Sequence, residues 1–321
     1  MRRSSGTPGT GAARRMVRVP RPTLAAALTA GPVVLDGGLS TELEARGSDV
    51  STALWSARLL RDDPAAVVAA HAAFAAAGAQ VVTTASYQAS VEGFGTAFGL
   101  DRAGALRLVA RSVELAREGA PDAWVAGSVG PYGAALADGS EYTGAYVDDL
   151  TVRDLREFHR PRMEALAGAG ADVLACETVP AAREAEALLV EADDLGVPVW
   201  LSLTTVRDAA GLARTRRGEL AADVLAMAAD LDVVLAVGVN CTDPAGVPAG
   251  VAAAATSGRP VVAYPNSGEG WDATARRWTG TPGVDPAAVP GWLAAGARLV
   301  GGCCRVGPAD VRAIAAVLGR A

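Results

Sequence analysis

The chain has 321 residues, 50% of them hydrophobic, with 35 acidic and 29 basic side chains, which is enough for a sizeable core and one large domain. Every basic residue is Arg, and there are only two His and four Cys. Without Lys there is no internal Schiff base and no lysine for a Walker-type phosphate loop; with His71 and His159 alone, metal chemistry must rest on Cys, Asp or Glu.

Residues 1–22 hold six Arg and no acid, so the net charge of −6 deepens to −12 over the rest. Their Ser, Gly, Pro and Arg composition predicts a disordered basic tail, with 23–321 as one folded domain. Met16 is an alternative start. The mildly apolar stretch from Thr23 to Ala30 is interrupted upstream by Pro20 and Pro22 and runs into a first strand, which argues against a signal peptide. The acidic body argues against a nucleic-acid surface. No run of about 20 apolar residues reads as a membrane span. Four scattered Cys do not make a secreted disulfide framework, and a cytoplasmic location is expected.

In chain order, strands are predicted at Val33–Asp36, Gln80–Thr84, Trp124–Ser128, Val173–Cys176, Val197–Leu203, Val233–Val239, Val261–Tyr264 and Leu299–Gly301. Helical patterns lie between and after them at Pro64–Ala77, Asp101–Glu118, Val152–Ala167, Ala181–Asp194, Glu219–Ala229, Pro286–Ala294 and Ala309–Leu318. The alternation argues for a parallel sheet, and continuous apolar strands argue for burial on both faces. A unit recurs before three strands: Ala77-Gly78-Ala79, Ala169-Gly170-Ala171 and Ala295-Gly296-Ala297. It reads as a helix ending on Gly, a tight turn and entry into a buried strand. Eight strands alternating with helices, three of them entered by this unit, predict a (β/α)8 TIM-type barrel. The competitor, a doubly wound open sheet, lacks its glycine fingerprint after the first strand. Long loops, from about Gly130 to Leu150 and from Pro265 to Asp285, both follow strands and belong on the C-terminal face.

The strand ends carry the chemistry-bearing residues. They are Asp36-Gly37-Gly38, Ser86-Tyr87-Gln88, Cys176-Glu177-Thr178, Asn240-Cys241, Asn266-Ser267-Gly268-Glu269 and Gly301-Gly302-Cys303-Cys304. A closed barrel gathers them at one mouth, where three thiols, Cys241, Cys303 and Cys304, converge. Zinc favours tetrahedral thiolate coordination, and a catalytic site keeps one position open. The alternatives are a buried Cys241 and a Cys303–Cys304 pair that is simply buried or forms a vicinal disulfide. Cys176, within a strand, reads as structural. Asn240 and Ser267 are candidates to bind a substrate carboxylate or to orient the ligand loops. Tyr87, Trp271 and Trp278 are candidates to face a cation through their rings.

The segments Asp36-Gly37-Gly38-Leu39-Ser40-Thr41-Glu42-Leu43, Gly238-Val239-Asn240-Cys241, Tyr264-Pro265-Asn266-Ser267-Gly268-Glu269 and Gly301-Gly302-Cys303-Cys304-Arg305 resemble the homocysteine S-methyltransferase family. The likeness runs in order from about Val33 to the C-terminus. It implies a zinc-dependent (β/α)8 barrel that methylates homocysteine to methionine, with Cys241, Cys303 and Cys304 as zinc ligands. By the same resemblance Asp36 and Glu177 hold the homocysteine amino group. A metal-bound thiol is deprotonated, and the thiolate is the nucleophile. It attacks the methyl of a sulfonium donor, S-methylmethionine first and S-adenosylmethionine second. No general base is needed, which suits a chain whose two His read as surface or packing residues.

Three other readings stay open: a betaine-type donor, a homocysteine-activating subunit serving a separate methyl-carrier protein, and a thiol-based zinc or redox sensor. The implied partners are small molecules, homocysteine and a methyl donor, with no nucleic acid and no membrane. One departure from the family pattern is the Arg-rich stretch Asp208–Glu219, which reads as a solvated loop that bears on donor choice.

Overall fold

Each of the eight predicted strands forms in the computed structural model, which describes residues 21–272, 277–280 and 283–320, with only the backbone for 270–272 and 277–278. They are β1 (Val33–Val34), β2 (Val81–Thr83), β3 (Trp124–Val129), β4 (Val173–Val179), β5 (Val199–Leu203), β6 (Val234–Asn240), β7 (Val261–Tyr264) and β8 (Ala297–Val300). All pair in parallel, and the order runs β1-β8-β7-β6-β5-β4-β3-β2. The ring closes where Leu35 bridges Val81, with Gln80 N–H donating to Val34 O at 2.8 Å and Asp36 N–H to Val81 O at 3.1 Å. An unbroken circuit without a reversal of order excludes the doubly wound sheet. The fold is a single-domain (β/α)8 barrel.

Strand residues alternate between two apolar environments. Leu35, Val81, Trp124, Val173, Trp200 and Leu299 fill the barrel, while Val34, Val82, Val125, Leu174, Leu201 and Val300 meet the surrounding helices. Burial on both faces is why the strands read as unbroken apolar runs. Each fully buried Val or Leu contributes about 1.5–3 kcal/mol.

The recurring Ala-Gly-Ala unit has its predicted geometry. Gly78, Gly170 and Gly296 take φ of 99°, 87° and 115°, left-handed values that end the preceding helices and turn the chain into β2, β4 and β8. Helix ends fall within two residues of expectation except after β5, where the helix is shorter, Ala221–Ala226, and before β8, where the first turn, Pro286–Ala288, is 3-10 and the α-helix starts at Val289.

Two features differ from the sequence reading. The stretch taken as a lead-in to β1 is a helix, Leu24–Ala30, capped by the Thr23 hydroxyl, which accepts the Ala26 N–H at 3.2 Å. Its Leu24 and Leu28 join the interior cluster. The expected tail lies outside the described residues up to 20. Its last two residues are packed: Arg21 stacks on Trp124, whose indole N–H donates to Pro22 O at 3.1 Å. Of the two roles the sequence leaves open for the His residues, surface or packing, the structure shows packing for both. His71 and His159 are both 0% exposed, and burial lowers each to about 4. His159 Nε2 lies 2.9 Å from Glu184. Both serve packing between helices: His71 lies against the end of the helix at Gly119, and His159 against Glu184 of the helix Ala182–Leu195.

Among the described residues no helix is long and apolar enough to cross a membrane.

Candidate active site

The C-terminal strand ends enclose a cavity lined by Asp36, Glu177 and the three thiols, together with Tyr87 and the loop after β3. Close backbone approach builds it. A Cβ on Gly38 would meet the Cys303 carbonyl at 2.6 Å, and one on Gly301 would meet the Asp36 carbonyl at 2.5 Å. Only glycine lets these two turns touch. Across the contact, Gly302 N–H donates to Asp36 O at 2.9 Å and Gly38 N–H to Val306 O at 2.9 Å. The Cys303-Cys304 turn is held from its other side by Cys303 N–H to Pro265 O at 2.7 Å and Ser267 N–H to Cys304 O at 3.1 Å.

The three predicted thiols converge, with all three Sγ within 4.8 Å of one another. Cys241 and Cys303 are joined sulfur to sulfur, their Cα atoms 5.6 Å apart, so the vicinal Cys303–Cys304 link is not formed. Cys304 Sγ is 3.8 Å from Cys241 Sγ. Metal–sulfur bonds of about 2.3 Å in a tetrahedron set sulfurs about 3.8 Å apart, so this pair already has the spacing of a zinc edge. Cys241 (φ 45°) and Arg305 (φ 65°) take left-handed conformations that cost non-glycine residues about 1–3 kcal/mol each and turn the cluster toward the mouth. Cys176 stays in the wall of the barrel, its thiol pushed up to about 12 by burial.

The two predicted carboxylates stand in the same cavity. Asp36 accepts the Thr83 N–H at 2.6 Å and the Thr83 hydroxyl at 3.0 Å. Glu177 accepts the Ser128 hydroxyl and, at 3.0 Å, the Tyr264 hydroxyl. Burial pushes Asp36 up to about 8 and Glu177 to about 7, and the neighbouring Glu177 adds to the rise at Asp36. Neither has a cationic partner among the described residues. Two carboxylates held this way are completed by an incoming cation.

Asn240 and Ser267 are placed differently. Neither lines the cavity. Asn240 is fully buried and spends its amide on Thr178 and Ser202. Ser267 donates to Glu269 at 3.0 Å, and Glu269 pairs with Arg305 at 3.0 Å. These hydrogen bonds run to neighbouring strand-end and loop residues. Tyr87 lines the cavity; the Trp271 and Trp278 side chains lie outside the described residues.

Sequence reasoning missed Glu141 and Tyr142, which also line the cavity. They sit in a 3-10 turn, Ser140–Tyr142, inside the loop after β3, where no periodicity marks them. The Tyr142 hydroxyl is 3.9 Å from Cys241 Sγ. The Arg-rich stretch after β5 is largely exposed, as the sequence reading has it, and its ends pair as a two-stranded ribbon, Thr205–Arg207 with Ala213–Thr215. Arg214 pairs with Asp208 at 2.6 Å and Arg217 with Asp148 at 2.6 Å; Arg216 is half-buried and donates to Thr204 at 3.0 Å.

Comparison with known proteins agrees with this geometry. The profile of a family described as homocysteine S-methyltransferase matches residues 33–318. The homocysteine S-methyltransferase of Escherichia coli (strain K12) is 45% identical over 301 residues, covering 88% of this chain and 94% of that protein. Homocysteine S-methyltransferase 4 of Zea mays is 42% identical over 308 residues, 89% of each chain. The crystal structure of the homocysteine methyltransferase MmuM from Escherichia coli, metallated form, superposes with a TM-score of 0.79 at 42% identity, covering 91% of this chain and 98% of that one. The chain belongs to the homocysteine S-methyltransferase family, and its reaction is methyl transfer to homocysteine.

Proposed function

We propose that the methyl donor is a sulfonium, S-methylmethionine ahead of S-adenosylmethionine, and that zinc held by Cys241, Cys303 and Cys304 activates the homocysteine sulfur. The observation that carries this reading is the juxtaposition of three converging thiols with two buried carboxylates that lack a counter-cation. The donor set suits zinc, three sulfurs leaving a fourth position for a substrate sulfur. The metallated form of the Escherichia coli relative supports it. When bound, the metal keeps a coordinated thiol deprotonated at neutral pH. Cys241 and Cys303 must be reduced to serve as ligands, which suits a reducing cytoplasm.

The chain's own residues do the rest. Asp36 and Glu177 accept the homocysteine ammonium, which fixes the amino acid by its head and leaves its thiolate beside the cysteines. Thr83, Ser128 and Tyr264 hold those carboxylates in place, so little reorganisation accompanies binding. The thiolate sulfur forms a bond to the methyl carbon as the donor's carbon–sulfur bond breaks, and the electron pair stays on the donor sulfur. From S-methylmethionine both products are methionine.

The test offers homocysteine with S-methylmethionine, S-adenosylmethionine or betaine to reduced, zinc-loaded protein and measures methionine. Methionine from a sulfonium donor, lost on chelation of zinc, is the expected result. Methionine from betaine alone, or from no free donor, overturns it; the latter favours service to a separate methyl-carrier protein.

A further inference from the structure

Six described acids are buried, and five of them have partners. Asp36 and Glu177 have theirs as above; Glu42 pairs with Arg46, Glu184 with His159 and Tyr146, and Glu191 with Arg156 and Arg160. The exception is Glu141. It is 5% exposed, lines the cavity, and its Oε2 has no hydrogen-bond partner. Leaving a buried carboxylate oxygen unpaired is unfavourable, and native folds keep such a group where function requires it.

The loop around Glu141 is built to hold it there. Glu184 accepts the Tyr132 N–H at 2.6 Å and binds the Tyr146 hydroxyl, anchoring the loop on both sides of residue 141. Ala137, Gly139 and Gly144 take left-handed conformations that fold the chain tightly between the anchors. A Cβ on Gly133 would strike the Glu141 backbone nitrogen at 2.5 Å. The next residue, Tyr142, reaches the thiol cluster. Glu141 is thus a third carboxylate in a cavity where two already suffice for one ammonium, and it stands one residue from the group that touches Cys241.

Two amino-acid substrates bring two sets of positive charge. We propose that Glu141 is the cation-binding residue of the methyl donor's subsite, taking the donor's sulfonium or ammonium group while Asp36 and Glu177 hold homocysteine. Burial raises Glu141 above the usual carboxylate range, and an incoming cation draws it back to the ionised form. This inference rests on the sulfonium-donor reading above.

The experiment measures steady-state kinetics of the reduced, zinc-loaded chain and of Glu141→Gln, which keeps shape and loses charge. Two donors are compared: S-methylmethionine, and dimethylsulfoniopropionate, a sulfonium without an ammonium. The expected result is a rise of about tenfold or more in the variant's KM for S-methylmethionine, with KM for homocysteine within roughly twofold of wild type. A rise with both donors places Glu141 at the sulfonium; a rise with S-methylmethionine alone places it at the ammonium. As a readout independent of turnover, S-methylmethionine should raise the Tm of wild type and not that of Glu141→Gln. Should Glu141→Gln fold poorly, Glu141→Asp keeps the charge, and its donor KM should lie between the two. An active wild type with an unchanged donor KM in the variant, or equal rises for both substrates, overturns the inference alone. A wild type that makes no methionine from either sulfonium overturns the donor reading and this inference with it.

Discussion

Asn240 grips Thr178 with both ends of its amide: Oδ1 accepts the Thr178 N–H at 2.7 Å and Nδ2 donates to the Thr178 hydroxyl at 2.7 Å. Thr178 sits at φ 61°, beside a register shift in β4 that spans Cys176 to Val179. A bulge of this kind re-aims a side chain, and here it turns Glu177 into the cavity. The amide thus stabilises a left-handed residue so that its neighbour can face the substrate.

Asn240→Ala should therefore act through Glu177. Removing a buried double hydrogen bond costs about 1–3 kcal/mol. Urea denaturation should show that loss, and KM for homocysteine should rise while zinc content stays at the wild-type level. Unchanged KM would reduce Asn240 to a purely structural brace.

The carboxylate pair predicts a pH dependence of stability. Asp36 and Glu177 sit at about 8 and about 7 in the folded chain, against ordinary values of 3.8 and 4.5 in the unfolded one. Between those values the folded state holds more protons, so stability is highest near the unfolded pKa and falls as pH rises toward 8. Substrate-free wild type should lose Tm from pH 5 to 8 more steeply than Asp36→Asn. Parallel slopes would refute the assignment of the shift to Asp36.

Cys304→Ala tests the thiol cluster. It removes one sulfur from the tetrahedral edge with Cys241, and metal analysis should fall from about one zinc per chain toward none, with loss of turnover. Circular dichroism should stay close to wild type, since Cys304 sits in a partly buried turn outside the strands. Full zinc content with full activity would sink the site.

Gly238 and Gly168 make a matched pair. A Cβ at Gly238 would run into the Val262 carbonyl across β6 and β7, whereas at Gly168 nothing lies within 4 Å. Gly238→Ala should destabilise by about 1–3 kcal/mol. Gly168→Ala, at a helix end, should be neutral or stabilise by up to about 1 kcal/mol. Thermal melts read both.

The barrel and the thiol site were legible because they depend on residue type and on strand-end position. Helix–Gly–strand units predict closure, and Cys241, Cys303 and Cys304 fall at the ends of β6 and β8 whatever the side-chain rotamers. Direction was not legible. Asn240 and Glu177 both end strands, yet one points into the wall and the other into the cavity, because a one-residue bulge decides it. Glu141 was invisible for a different reason. Its loop is placed by contacts to Glu184, more than forty residues further along the chain, which no local pattern encodes. The helix Leu24–Ala30 was masked by length, two turns of Ala being too short for a periodic signal.

The seam of the cylinder has a consequence for the pocket above it. β1 is the shortest strand, two residues, and it joins β8 to β2. Two residues further along, Asp36 offers its carboxylate to Thr83 and its carbonyl to Gly302, just before the cysteine pair. Parting the seam would separate the ammonium cradle from the sulfur turn in one movement. Barrel closure and pocket assembly are therefore a single cooperative event, and hydrogen exchange at the Leu35 and Asp36 amides would report on both at once.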